Sequence, residues 1–225
     1  MRNVVYLLVL LMCCACSKPT KLTILHTNDT HSQVEPKADN RGGYARRMGV
    51  IQRERAIDEH LLLVDAGDFC QGTPYFNYYK GRIEVEAMNR MGYDVVTLGN
   101  HEFDNGIVEL ARRLSSLDAK VVCANYDFTG TTLEPYVKPY TIVKKAGKKI
   151  GIIGLLTDIS RVVDIKLVGD LKYQEPAPVV NHYAEYLEDE EDCDLVICLS
   201  HLGYSGDCRL AAEVSDIDAR VGGHS

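Results

Sequence analysis

The chain has 225 residues, 46% of them hydrophobic and 25% charged, with 18 glycines, 8 cysteines and no tryptophan. These proportions exclude a disordered, collagen-like or polytopic membrane protein, and the length leaves room for a sizeable core. A net charge of −7 excludes a broad basic surface for a nucleic-acid polymer.

Arg2 precedes the apolar run Val4–Met12, which continues into Cys13-Cys14-Ala15-Cys16. From Val4 to Cys16 the run is shorter than the roughly 20 residues that a membrane-spanning helix needs. A positive residue, a short apolar core and a small residue before a cleavage point describe an export signal over residues 1–15. Ala15-Cys16, followed by Ser17-Lys18-Pro19, resembles a bacterial lipobox, with Cys13 where Leu is usual. That resemblance implies lipidation at Cys16, with the lipid anchor as the expected membrane contact. The expected location is the periplasm or cell surface, and the alternatives are an N-terminal anchor or cleavage without lipidation. Residues 1–15 carry Arg2 and no acid, so the mature charge would be −8. The remaining cysteines, Cys70, Cys123, Cys193, Cys198 and Cys208, are odd in number and lack CxxC spacing. Most of them read as buried small hydrophobes, and the spacing shows neither a paired disulfide framework nor a zinc site.

After a linker over 16–21, the pattern alternates strand and helix in one domain, 22–225. Lys21–Thr27 reads as a strand followed by Asn28-Asp29-Thr30-His31. A helix is expected over about Tyr44–Ile57, with Met48, Ile51 and Ala56 on one side. The short strand Leu61–Val64 runs into Asp65-Ala66-Gly67-Asp68. Arg82–Met91 is helical and stops at Gly92. Tyr93–Leu98 then precedes Gly99-Asn100-His101-Glu102-Phe103-Asp104. A helix over Gly106–Leu117 leads into a strand at Lys120–Ala124, and Val137–Val143 with Lys149–Leu155 reads as a hairpin around Ala146-Gly147. Pro176–Glu190 is helical, Leu195–Leu199 is a strand ending on Ser200-His201, and Asp207–Val214 is helical. Ala219–Val221 then gives way to Gly222-Gly223-His224-Ser225.

This alternation argues an α/β layered fold. Asp29 with His31, Asp68, Asn100 with His101, His201 and His224 each follow the C-terminal end of an expected strand, where α/β sheets bind ligands. Carboxylates, one amide and imidazoles suit Mn, Zn, Fe or Co rather than the all-oxygen cage of calcium. One dication needs three or four such donors, and the surplus points to two metals sharing a carboxylate, the arrangement that serves in-line displacement at phosphorus. The ions, not the chain's net charge, would then set the local field. By contrast, His26 reads as a packed strand residue, and His60 and His182 as surface residues. Asp65 and Asp158 read as support or turn residues, and Arg161 as a candidate phosphate contact.

Asp29-Thr30-His31, Gly67-Asp68, Gly99-Asn100-His101-Glu102, Ser200-His201 and Gly222-Gly223-His224 together resemble the successive motifs of the calcineurin-like metallophosphoesterases. Ile24-Leu25-His26-Thr27-Asn28-Asp29-Thr30-His31, Gly99–Asp104 and Ile153-Gly154-Leu155 resemble the N-terminal domain of the exported bacterial 5′-nucleotidases. The resemblance implies a four-layer α-β-β-α sandwich, two β-sheets flanked by helices, and a dimetal phosphoester hydrolase. Two divalent ions (Mn, Zn, Fe, Co or Mg) and a nucleotide substrate are its implied cofactor and partner. By position, Asp29, His31 and Asp68 resemble the ligands of one metal, and Asp68, Asn100, His201 and His224 those of the other. His101 resembles the family's catalytic histidine, which stabilises phosphoryl charge or protonates the leaving group, and Asp104 the carboxylate that orients it. Asn100 and His101 are the expected substrate contacts, and a metal-bound hydroxide the expected nucleophile.

In the family, Gly-Gly-His-Ser is followed by a further His or Gln ligand and by a C-terminal nucleotide-specificity domain. The expectation for this sequence is therefore a C-terminally incomplete catalytic domain without that second domain. The alternatives are a non-catalytic metal-binding surface lipoprotein, or a related hydrolase of cyclic or sugar nucleotides. Retention of His101 and Asp104 argues against the first, since a structural metal site needs neither.

Overall fold

The computed structural model describes residues 21–225. The expected export segment 1–15 and the candidate lipidation site Cys16 lie outside the described residues.

Five strands form a parallel sheet in sequence order: β1 (Ile24–Thr27), β2 (Leu62–Asp65), β3 (Val95–Thr97), β4 (Lys120–Val122) and β5 (Val137–Lys138). Four more form a second sheet: β6 (Tyr140–Lys145), β7 (Lys148–Leu156), β8 (Leu195–His201) and β9 (Ala219–Gly222). There β6 pairs antiparallel with β7 through the Ala146-Gly147 turn, and β7, β8 and β9 run parallel. The longer helices are α1 (Tyr44–Ile57), α3 (Arg82–Met91), α4 (Gly106–Leu114), α6 (Pro176–Asp189) and α7 (Tyr204–Glu213), with short α2 (Pro74–Tyr79) and α5 (Ile165–Val168) between them.

Alternation of side chains along each strand sorts the core into layers. Leu61, Leu63 and Val96 face Ile51 of α1, Met88 and Met91 of α3, and Leu110 and Leu114 of α4. Leu62, Val64 and Val95 face the other way, against Ile150, Ile152, Ile197 and Leu199 of the second sheet. Ile153, Leu155, Val196 and Cys198 then meet Val180, Ala184 and Leu187 of α6 and Leu210 of α7. The expected order of helix, sheet, sheet, helix is the order found. Strands buried on both faces read as unbroken apolar runs, which is why Leu61–Val64 and Leu195–Leu199 stood out.

Polar bonds stitch the sheets together near their C-terminal ends. Thr97 Oγ1 donates to the Leu155 carbonyl at 3.3 Å, while the buried Asn125 amide donates to the Leu156 carbonyl and accepts from the Leu156 N–H. Gly154 lets the two backbones meet, because a Cβ there would overlap the Val122 carbonyl.

Four expectations are corrected. The strand expected over Val137–Val143 splits at Pro139, with Val137–Lys138 completing the first sheet and Tyr140 onward opening the second. Proline has no N–H for a continuous ladder, so the chain changes sheets there. His26 is exposed rather than packed, because β1 is the edge strand and no described residue covers that side. Ala56 is exposed, and Arg55 takes the inward position, donating to the Met91 and Gly92 carbonyls at the end of α3. The helix expected to reach Leu117 ends at Leu114. The five cysteines among the described residues are free; Cys70, Cys123 and Cys198 are buried, whereas Cys193 is half-buried and Cys208 exposed.

Candidate dimetal site

The loops after β1, β2, β3, β8 and β9 meet at one end of the sandwich. Backbone bonds zip the first two together: Asp29 N–H to the Gly67 carbonyl, His31 to Asp68 and Ser32 to Phe69. Gly223 N–H donates to the Ser200 carbonyl, and His224 N–H to Asp29 Oδ2 at 2.9 Å. Asp29, His31, Asp68 and His224 all hold positive φ, between 43° and 68°. Non-glycine residues adopt that conformation at a cost of order 1–3 kcal/mol each, and such strain gathers where function demands a fixed side-chain direction.

Two donor groups result. Asp68, His201 and His224 place ligand atoms within 4.8 Å of one another, and so do His31, Asp68 and His101, leaving Asp68 common to both. Asp68 is 2% exposed; its Oδ1 accepts the His101 N–H at 2.9 Å and its Oδ2 lies 3.1 Å from His201 Nε2. This approach requires glycine at 99, since a Cβ there would overlap Asp68 Oδ1. His201 Nδ1 sits 2.6 Å from the Ala66 carbonyl, so that nitrogen carries the hydrogen and Nε2 is left as the donor. Burial disfavours charge on His201, yet the Asp68 carboxylate and the Ala66 carbonyl outweigh it and push the ring up to about 9. The same ion pair outweighs burial at Asp68 and lowers its pKa. Burial and the neighbouring His201 lower that of His224.

The donor set fits divalent cations. Asn100 Oδ1 is buried with no hydrogen-bond partner. A buried polar atom left unpaired costs about 1–3 kcal/mol, a cost that a coordinated cation would remove. Oxygen from Asp68 and Asn100 with nitrogen from His31, His201 and His224 is the mixed set that suits Mn or Zn. Asp29 belongs to neither three-residue group; its Oδ2 accepts from Asn28 Nδ2 at 2.7 Å and from His224 N–H.

His101 projects between the two loops. Its Nδ1 is 2.9 Å from Asp104 Oδ2, and its ring meets His31 edge-on with centroids 5.2 Å apart. Burial works against the charged form, but Asp104 and Asp68 overcome it and raise the His101 pKa.

Other residues take supporting places. Asp65 is fully buried, accepts from Thr27 Oγ1 and from the Gly67 N–H, and is pushed up to about 7 by burial. Asp158 accepts from the Ser160 N–H and pairs with Arg161 at 2.9 Å. That turn lines a separate cleft with Tyr173 and Arg209, so the structure does not bring Arg161 into either donor group. His60 and His182 are exposed, as expected.

Two participants escaped the sequence reading. Ser200 Oγ donates to Asp207 Oδ1 at 2.6 Å, tying the strand that carries His201 to α7. Glu102 is fully buried and accepts three backbone N–H groups. Burial and the Asp68 charge push its carboxyl up to about 7. Its sequence signal was the Gly-x-x-Glu spacing of a capping box.

An α-β-β-α sandwich with Asp, Asn and His donors at its strand ends defines a metallophosphoesterase architecture. The match to the calcineurin-like phosphoesterase family model spans residues 22–225, and the chain belongs to that family. It is 37% identical to the snake venom 5′-nucleotidase of Naja atra, over 91% of this chain and 41% of that protein. It is also 37% identical to a probable 5′-nucleotidase of Treponema pallidum, over 90% of this chain and 36% of that protein. The crystal structure of a 5′-nucleotidase precursor from Thermus thermophilus superposes with a TM-score of 0.85 at 36% identity, covering 90% of this chain and 41% of that one. The chain thus spans about two-fifths of the length of these relatives.

Proposed function

We propose that the chain is the catalytic domain of a phosphoester hydrolase acting on 5′-nucleotides, with two divalent ions. The convergence of both donor groups on Asp68, beside the His101–Asp104 pair, carries this reading. Asp29, His31 and Asp68 would hold one ion; Asp68, Asn100, His201 and His224 would hold the other. The ions, when bound, supply Lewis acidity toward the phosphoryl oxygens and make a nucleophile of water near neutral pH. His101, with its proton held by Asp104, stabilises charge on the phosphoryl group or protonates the leaving oxygen. Asn100 and His101 are the substrate contacts. The similarity to proteins named 5′-nucleotidase supports a nucleotide as substrate. The charge pattern of residues 1–15 and the Ala15-Cys16 pair support export and a lipid anchor at Cys16, in the periplasm or at the cell surface. No helix among the described residues is long and apolar enough to cross a membrane.

Hydrolysis of p-nitrophenyl phosphate and AMP, with added Mn²⁺ and with chelator, tests the reading. Turnover that depends on Mn²⁺ is expected; its absence from protein that has bound the metal would overturn the assignment.

The His101–Asp104 pair makes a signed prediction for pH dependence. His101 acts protonated, so the rate falls as pH rises through its pKa, which Asp104 holds up. Asp104→Asn removes that support, and the alkaline limb of kcat against pH should move to lower pH while the acid limb stays. An unmoved alkaline limb would assign it to another group.

A further inference from the structure

The hydrogen bonds of Glu102 reach further than local structure requires. It is the third residue of the short helical turn Asn100–Phe103, and its Oε2 accepts the Gly99 N–H at 2.6 Å. That bond is the ordinary reciprocal cap of a helical start. The other two are not local. Oε2 also accepts the Asp68 N–H at 2.9 Å, and Oε1 accepts the Cys70 N–H at 3.0 Å, both from the loop that follows β2. One carboxylate with no exposed surface therefore ties together the loop of the shared ligand Asp68 and the turn carrying Asn100 and His101.

The tie is placed where strain must be held. Asp68 sits at φ 56°, and its Oδ1 accepts the His101 N–H, so the two segments are joined in both directions across the site. Glu102 is anchored in turn: buried Arg113 of α4 donates to its backbone carbonyl and lies over the Phe76 ring, 5.6 Å from its centre. Three backbone N–H groups on one buried side chain, one from the turn and two from the facing loop, fix the separation of the two segments at their bonding distances.

We infer that Glu102 is a positioning residue for the metal centre, setting Asp68 and the Asn100–His101 turn at the separation at which both donor groups close on a cation. It touches neither metal nor substrate; it acts through the backbones of the residues that do. The inference rests on the dimetal reading of the site. It extends it to a residue that neither the donor groups nor the sequence motifs had assigned a role.

The test measures Mn²⁺ binding by calorimetry and metal-coupled electron paramagnetic resonance, in the full chain carrying Glu102→Gln. The amide keeps the length of the side chain but sets an NH₂ against one of the three N–H donors. Mn²⁺ affinity should fall by roughly 10–100-fold, the range seen when groups supporting a metal ligand are removed. At saturating Mn²⁺, kcat for p-nitrophenyl phosphate should fall while KM holds. Leu187→Ala, in the distant layer between α6 and the second sheet, supplies a comparison that loses thermal stability without touching the site. It should retain Mn²⁺ affinity.

A Glu102→Gln loss no greater than that of Leu187→Ala would reduce Glu102 to a structural residue and overturn the proposal. If the Gln variant fails to fold, Glu102→Asp is read by the same criterion, since it keeps the charge but is one methylene too short to reach both loops. Should the unaltered chain bind Mn²⁺ and hydrolyse nothing, the phosphoesterase reading falls, while the binding measurements still decide the role of Glu102.

Discussion

Asp68→Asn should strip both metal ions from the protein together. The Asp68 carboxylate is the only group common to the two donor sets, with one oxygen on the His101 N–H and the other facing His201 Nε2. An amide carries no charge and presents one oxygen, so the set of Asn100, His201 and His224 loses its only anion and the set of Asp29 and His31 loses one of its two. It also leaves His201 without the carboxylate that raises its pKa, and sets an NH₂ against a neighbouring donor. Loss of a supporting group costs about 10–100-fold in metal affinity, and loss of a shared ligand should cost more than that at both positions. Metal content by elemental analysis should fall from two ions to none per chain, with hydrolysis at background. Retention of one full equivalent would refute the bridge and assign Asp68 to a single ion.

His101→Ala should lower kcat by roughly 10²–10⁴ while both metals stay bound, the effect of removing one positioned acid. That is about 3–5 kcal/mol of transition-state stabilisation at 1.4 kcal/mol per tenfold. Geometry alone admits another role, because His31, Asp68 and His101 also have donor atoms within 4.8 Å of one another. Metal content of the variant decides between them. Asp104 engages Nδ1 at 2.9 Å and raises the pKa of the ring, the arrangement that suits a proton donor. Metal lost along with activity would make His101 a ligand instead.

Much of this site was legible in the sequence because its signals are local. Asp29, Asp68, Asn100 and His224 each follow a strand by a few residues and His201 ends one, and a strand announces itself by its own apolar run. Parallel sheets bring all such ends to one side, so the convergence could be inferred before any distance was known. His101 and Asp104 are three residues apart, within one helical turn, and their 2.9 Å contact follows from that spacing.

What escaped depends on contacts between distant segments. The Gly-x-x-Glu spacing marks Glu102 as a helix cap, but its bonds to Asp68 and Cys70 cross 34 and 32 residues of chain. Nothing in those residue types encodes the crossing. The exposure of His26 follows from β1 being an edge strand, a matter of sheet order rather than of the strand's composition. The split at Pro139 lies between these cases. Proline forbids a continuous ladder on local grounds, yet that the two halves join different sheets is settled by packing.

The sequence by itself determined which side chains could bind metal, their order along the chain and the layered class of the fold, because side-chain chemistry and periodicity are properties of short segments. Only the tertiary structure decided that His201 offers Nε2 because Nδ1 is taken by Ala66, and that a buried Glu102 ties the two halves together. Those outcomes turn on which backbone groups face one another once two sheets have packed, and that is a property of the whole chain.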